Sequence, residues 1–353
     1  MEAAPTLRPL AGSPAGVERL LADWLGADAP PPLSVLTSGS SGEPRQVALS
    51  AAAVRFSAHA TADRLGGAGQ WVLALPVRHV AGMQVVVRSL LAGSSPVTLA
   101  DHPDLASATR ALTHRRRYLA LVPTQLHRML ESRRDAETLA GLDAVLLGGS
   151  AAGSDLLAAA RAVGVLVVTT YGMSETCGGC VYDGVPLDGV QARLGDRGRV
   201  LVSGPVLFDR YVDEPALTAE VLRAGWLHTP DAGSIDRWGR LEVLGRLDDV
   251  VVSGGVNVPL AVVERRLLAH PSVDQAAVVG VPDLEWGSRV VAYVVAHPAA
   301  RPPSRAELRD FVGDAHPREW APLELTVVDR LPMLASGKLD RQTLIRETAS
   351  RRG

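Results

Sequence analysis

The sequence predicts an α/β protein: a large N-terminal domain with a parallel α/β sheet and a small antiparallel β subdomain, then a small α+β C-terminal domain. Three observations predict it. From 71 to 169, short apolar runs alternate with helix-like stretches. After Gly184 the texture changes to short strands and tight turns. Beyond 245–249 helices and strands mix again. Continuous apolar strands separated by helices indicate a parallel sheet covered on both faces. The expected division is 1–247 and 248–353.

In order, a helix is expected over 16–25, and the proline-rich 29–32 is a stiff lead into the next strand. Strands at 33–36 and 47–49 flank a Ser/Gly loop. Ser50 is a good N-cap for a helix that Gly66 and Gly67 end. Strands follow at 71–75, 96–99, 118–122, 144–147 and 165–169, with helices at 80–91, 105–116, 124–132 and 154–163 between them. Short strands at 199–203, 226–228 and 241–244 form the antiparallel part, with 236–239 as a hairpin turn. The C-terminal part carries helices at 260–269 and 304–312, strands at 275–281, 290–295 and 325–328, and a last helix from about Asp340.

Lys+Arg 36 against Asp+Glu 38 gives net charge −2, which offers no electrostatic footprint for nucleic acid or an anionic membrane. No apolar run approaches the ~20 residues of a spanning helix. The N-terminus lacks the basic-then-apolar build of a secretory signal. A soluble cytoplasmic protein is expected. The two cysteines, Cys177 and Cys180, form one CxxC with no second ligand pair for zinc, so they read as incidental thiols.

The chemistry concentrates in loops. Thr37-Ser38-Gly39-Ser40-Ser41-Gly42 places glycines among hydroxyls, a loop that can turn N–H and O–H groups onto one anion. Arg45 adds a cation at its exit. The spacing is not GxxxxGK[ST], and a strand follows instead of a helix. In a parallel sheet, ligands sit beyond the carboxyl ends of the strands. The loops there are 76–79, 101–102, 123–124, Gly148-Gly149-Ser150 and Tyr171-Gly172-Met173-Ser174-Glu175.

Taken together, these segments resemble the adenylate-forming superfamily of acyl- and aryl-CoA ligases over residues 33–341. TSGSSGEPR is similar to its phosphate loop, with Arg45 where lysine is usual. Pro76 to Gly82 resembles PxxHxxG. Gly148-Gly149-Ser150 and YGMSE resemble the adenine loop and YGxTE, and Thr229-Pro230-Asp231 resembles TGD, with proline for glycine. Gly245 to Asp249 with Ser253-Gly254-Gly255 resembles the hinge and glycine strip, and Pro332 to Arg341 resembles the segment of the catalytic lysine. The run 171–190 is most similar to the o-succinylbenzoate–CoA ligases of menaquinone biosynthesis, in compact form.

The resemblance implies a carboxylate attacking the α-phosphate of ATP, then coenzyme A displacing AMP, with a mobile C-terminal domain acting as a lid. Catalysis must neutralise and position anions. Lys338 is the implied catalytic cation, in a chain where lysine is scarce. Glu175 suits Mg²⁺. Asp231 accepts the ribose hydroxyls with Arg246 as donor, Tyr171 offers a ring to adenine, and Asp248 is the pivot. Gly254 and Gly255 let pantetheine pass near the backbone, and His79 orients a carboxylate or makes a structural hydrogen bond. A dicarboxylate's second carboxylate calls for a cation, Arg78 or Arg193.

The expected partners are an aryl carboxylate, ATP and coenzyme A, with neither nucleic acid nor membrane, and a homodimer left open. The competing readings are a ligase for another aryl or fatty acid, an adenylating module that loads a carrier protein, and a nucleotide-binding regulator without catalysis.

Overall fold

The computed structural model describes residues 7–37, 45–298, 300–332 and 339–350, with the backbone but not the side chain of Asp248. The chain divides into two compact units. One lies within residues 1–193, 201–228 and 236–241, the other within 194–200, 229–235 and 242–353.

The first unit opens with β1 (Arg8–Pro9) and α1 (Pro14–Gly26), whose first turn is capped by Ser13 and begins on proline. Val17, Leu21 and Trp24, spaced along one face, are buried. β2 (Leu33–Leu36) and β3 (Gln46–Leu49) pair antiparallel from Leu33↔Leu49 to Leu36↔Gln46, so the Ser/Gly segment joins two strands, as its sequence predicts. Ser50 then caps α2 (Ala51–Arg64), accepting from the Ala53 N–H at 3.3 Å.

The alternating elements follow: β4 (Gln70–Leu73), α3 (Val80–Leu91), β5 (Val97–Thr98), α4 (Leu105–Arg110), β6 (Arg117–Leu121), α5 (Pro123–Leu130), α6 (Arg133–Ala140), β7 (Ala144–Leu147), α7 (Ser154–Ala162), β8 (Val167–Met173), β9 (Gly178–Tyr182) and β10 (Val185–Pro186). They form one sheet of order β10-β9-β8-β7-β6-β4-β5. Pairs from β5 through β8 are parallel, while β8–β9 and β9–β10 are antiparallel. Val72, Leu119, Leu121, Val145 and Leu147 bury one face against Leu126 of α5 and Leu139 of α6.

Two of the expectations that change here bear on the site. The strand predicted to stop at residue 169 runs on to Met173, so Tyr171 and Gly172 lie in a strand and not in a loop. The segment after Glu175 returns as β9, an addition to the sheet that the glycines of 178–179 conceal in sequence.

Next come β11 (Gln191–Leu194), β12 (Arg199–Ser203), β13 (Arg210–Tyr211), α8 (Pro215–Val221), β14 (Leu222–Arg223), β15 (Trp226–Ile235) and β16 (Leu241–Arg246). Strand order is β11-β12-β15-β14 with β16 on β15. β13 leaves this group and pairs with β3, Tyr211 opposite Val47, completing the sheet β1-β2-β3-β13.

The C-terminal part contains β17 (Val250–Ser253), β18 (Val256–Pro259), α9 (Leu260–Leu268), β19 (Val273–Asp283), β20 (Gly287–Ala296), α10 (Arg305–Gly313), β21 (Glu324–Val327) and α11 (Arg341–Ser350), with order β18-β17-β20-β19 and β21 parallel to β20. Successive strand residues point to opposite faces. Accordingly Val278, Val290 and Val294 pack with Val263, Leu267 and Leu308, while Val279, Val291 and Tyr293 pack with Leu331 and Leu344. Ser304 and Glu307 make a reciprocal capping box on α10.

Candidate active site

The neck of the Ser/Gly loop is closed by its two described ends. The Thr37 N–H donates to the Arg45 carbonyl at 2.7 Å, and the Arg45 N–H donates to Thr37 Oγ1 at 3.0 Å. Ser38, Gly39, Ser40, Ser41 and Gly42 lie outside the described residues. The Arg45 guanidinium stands 3.7 Å from Glu214, both partly exposed, a contact that water weakens and an anion can displace.

Tyr171, Gly172 and Met173 end β8, and Ser174–Thr176 make one 3-10 turn carrying Glu175. Register shifts between Tyr171 and Gly172, a bulge of the kind that re-aims a strand end. A Cβ on Gly172 would meet the Gly178 carbonyl oxygen at 2.0 Å. Cys177 leaves the turn in the left-handed conformation, φ 50°. Its carbonyl accepts from Ser57 Oγ at 3.1 Å and Gln84 Nε2 at 2.9 Å. Thr176 Oγ1 accepts from the Met173 N–H at 2.9 Å and donates to the Gly178 carbonyl at 2.7 Å. The turn is tied at every side.

On this fixed backbone, Glu175 Oε1 accepts from the Tyr211 hydroxyl at 2.7 Å, and the Glu175 carbonyl accepts from the Phe208 N–H at 2.9 Å. Burial, and then the Glu175 charge, push the Tyr211 ionisation well above the ordinary tyrosine range, with Arg45 opposing. The pairing of Tyr211 with Val47 sets this carboxylate beside the strand that follows Arg45. Sequence reasoning passed over Tyr211; the available signal was Phe208 and Tyr211, an aromatic pair in a chain only 4% aromatic.

No group of three or more His, Cys, Asp or Glu side chains is placed to hold a metal among the described residues. A lone carboxylate still fits Mg²⁺, which takes one or two protein oxygens and fills its octahedron with phosphates and water. Glu175 keeps Oε2 for that use.

Gly148-Gly149-Ser150 leave β7, and a Cβ on Gly148 would meet Thr170 Oγ1 at 2.4 Å while Gly149 holds φ +82°. The 76–82 segment has a similar steric cause. A Cβ on Gly82 would lie 2.3 Å from the Pro76 carbonyl, so the first turn of α3 can sit on that loop only with glycine. His79 stands at the N-cap of α3 without capping through its side chain. Its Nε2 accepts from Arg78 Nε at 3.4 Å, and its buried Nδ1 has no hydrogen-bond partner among the described residues. Arg193 lies over the Trp226 ring, 4.0 Å from its centroid.

Beyond the carboxyl ends of β6 and β7, a cavity of about 380 Å³ opens between α5 and α7, lined by Pro123, Thr124, His127, Arg128 and Leu156. His127 pairs with Glu131 at 3.6 Å. Arg128 is exposed with no ion-pair partner among the described residues, which makes it a cation available to a ligand.

In the second unit, Thr229-Pro230-Asp231 lie within β15, which runs past residue 228 where the sequence ends its strand. Side chains stand in where Pro230 has no N–H: the Thr229 hydroxyl donates to the Val200 carbonyl at 2.8 Å, and Arg199 donates to the Thr229 carbonyl at 2.6 Å. The Asp231 N–H donates back to Thr229 Oγ1 at 3.2 Å. Arg246 ends β16, and Asp248 falls in the one-turn helix Leu247–Asp249. Gly254 and Gly255, at φ +57° and +80°, form the two-residue turn between β17 and β18, the geometry of a type I′ hairpin. Trp286 lies against Gly254 and lines a cleft of about 200 Å³ with Arg309 and Arg318. Lys338 lies outside the described residues. Its flanks are anchored: the Asp340 N–H donates to the Pro332 carbonyl at 2.9 Å, and Arg341 makes a two-point fork onto Glu264 at 2.9 and 3.1 Å.

Cys177 and Cys180 are fully buried, and burial pushes both thiols up, Cys180 to about 12. A thiol reagent at mildly alkaline pH is expected to find no reactive thiol in the native protein and two per chain after unfolding. Because the folded thiols sit above their unfolded value of about 8.5, their contribution to stability is complete below that value. It is lost as pH rises toward about 12. Native labelling of either thiol would contradict this.

The chain matches the family described as "AMP-binding enzyme" over residues 33–211 and "AMP-binding enzyme C-terminal domain" over 262–338. It is 45% identical over 324 residues to a Mycobacterium tuberculosis protein named "Probable 2-succinylbenzoate--CoA ligase", covering 90% of this chain and 84% of that one. The o-succinylbenzoate CoA synthetase (MenE) of Bacillus subtilis, solved with the acyl-adenylate OSB-AMP, superposes with TM-score 0.74 at 31% identity, over 88% of this chain and 68% of that one. The same enzyme solved with ATP and magnesium gives 0.72 at 30%, over 88% and 69%. No helix among the described residues is long and apolar enough to cross a membrane.

Proposed function

The chain belongs to the AMP-binding enzyme family, and from that premise we propose that it is an ATP-dependent 2-succinylbenzoate–CoA ligase serving menaquinone biosynthesis. The observation that carries the reading is the hydrogen bond by which Tyr211, paired with the strand that follows Arg45, holds the Glu175 carboxylate. A cation at the exit of a hydroxyl-rich loop and a rigidly held carboxylate are what a polyphosphate and its divalent ion require.

In the first half-reaction an oxygen of the acid attacks the α-phosphorus of ATP, and pyrophosphate leaves with the electrons of the broken P–O bond. In the second, the coenzyme A sulfur attacks the acyl carbon and AMP departs. The loop from Thr37 to Arg45 holds the phosphates. Tyr171, Gly172, Met173 and Ser174 with Gly148, Gly149 and Ser150 enclose the adenine, and Asp231 with Arg246 takes the ribose. Glu175 would hold magnesium, which when bound supplies charge to the phosphates. His79 orients the reacting carboxylate and Lys338 neutralises the two anions as they meet. Residues 248–353 form the lid, pivoting at Asp248, and the Gly254-Gly255 turn beside Trp286 and its arginines admits coenzyme A. Both co-substrates are cytoplasmic pools, which supports a cytoplasmic enzyme.

The second carboxylate of the acid is assigned to Arg128 in the α5–α7 cavity, in preference to Arg78 or Arg193, which contact His79 and Trp226. With Mg-ATP and coenzyme A, 2-succinylbenzoate is expected to release pyrophosphate. Arg128→Ala should raise its KM about 10–100-fold, the effect of one charge-assisted hydrogen bond. Release with benzoates or fatty acids but not with this acid would refute the assignment.

A further inference from the structure

We propose that Tyr211 is a positioning residue that fixes the Glu175 carboxylate for magnesium; the inference rests on Glu175 being the metal ligand. The backbone around Glu175 is immobilised by Phe208, Thr176 and the Cys177 carbonyl. What remains free is the side chain, and glutamate is among the side chains with the most rotamer freedom to lose. The Tyr211 hydroxyl removes that freedom. An ionised carboxylate only accepts, so the hydroxyl donates to Oε1 at 2.7 Å and leaves Oε2 to be presented.

Tyr211 is itself fixed. It pairs with Val47 of β3, its N–H donates to Thr218 Oγ1 at 3.0 Å, and its ring stands edge-on to Phe208 at 4.9 Å. It is 7% exposed. Because β3 begins at the exit of the phosphate loop, one short strand ties the register of that loop to the direction of the carboxylate. Orienting partners of metal ligands behave this way generally, and their loss weakens metal affinity about 10–100-fold.

Tyr211→Phe keeps the ring and removes only the hydroxyl. The apparent magnesium requirement of pyrophosphate release should rise about 10–100-fold, more than kcat falls. Binding of Mn²⁺ to the enzyme with ATP, read by electron paramagnetic resonance, should weaken in step. Thioester formation from supplied acyl-adenylate and the melting temperature should hold. Unchanged Mn²⁺ affinity in Tyr211→Phe, with affinity lost in Glu175→Gln, would overturn the positioning role alone. Unchanged affinity in Glu175→Gln would overturn the metal assignment beneath it. A fall in both half-reactions with a lowered melting temperature would make Tyr211 a structural residue only.

Discussion

Replacing Lys338 by alanine should reduce acyl-adenylate formation about 10²–10³-fold, the scale of losing one preorganised donor at a developing charge. Thioester formation from supplied acyl-adenylate should be largely spared. The asymmetry follows from charge. The first step drives a carboxylate onto a phosphate, two anions that need a cation between them, while the second needs no such bridge. The sequence adds a singular fact: Lys338 is the only lysine in a chain with 36 Lys+Arg residues. Arginine serves the other cationic positions, and a compact ammonium on a flexible stem suits the proposed role better than a fork-shaped guanidinium. An amine-directed reagent should therefore inactivate adenylation by modifying one side chain, and Mg-ATP should protect it. Pre-steady-state measurement of the two half-reactions decides the matter. Equal losses in both would remove Lys338 from its role.

Gly172→Ala should be among the most destabilising single substitutions in the N-terminal unit. Its added methyl would sit 2.0 Å from the Gly178 carbonyl oxygen, 2.6 Å from that carbon and 2.7 Å from the Gly179 Cα. All three are backbone atoms of the facing strand, so no rotamer change relieves the clash. Overpacking costs typically 1–3 kcal/mol, and with backbone as the obstacle the upper end, about 3 kcal/mol or more, is expected. At about 2–4 °C per kcal/mol for a domain of this size, the melting temperature should fall by about 6–12 °C. Forcing β8 from β9 also displaces Tyr171 and Glu175, so ATP-dependent activity should disappear with the stability. Gly153→Ala is the control, since nothing lies within 4 Å of its Cβ position and its φ is −66°. If the two variants melt alike, the steric account of the bulge is wrong.

What could be read from the residues divides along physical lines. Strands such as 118–122 and 144–147 are unbroken apolar runs, and the parallel sheet followed from them. The loops at their carboxyl ends then marked the cavity beside Pro123 and Thr124 and the turn that carries Glu175. Where the sequence misled, a side chain far away had replaced a local rule. Pro230 argues for a turn, yet β15 runs through it, held beside the proline by the Thr229 hydroxyl on the Val200 carbonyl and Arg199 on the Thr229 carbonyl, 29 and 30 positions apart in sequence. Tyr171 to Met173 lack an apolar pattern, and the turn after them is held by Ser57 and Gln84, 120 and 93 positions from Cys177. Tyr211 escaped notice because its meaning lies in a partner 36 residues away. No local window contains that information.

The cavity between α5 and α7 has an evolutionary consequence. Thr124, His127 and Arg128 reach it from solvent-exposed positions on a helix whose buried anchor is Leu126. Exchanging those three side chains leaves the sheet core untouched, and exposed substitutions rarely change stability by more than about 0.5 kcal/mol. If the cavity takes the acid as proposed, choice of acid can drift among descendants of such a scaffold while the fold is inherited intact.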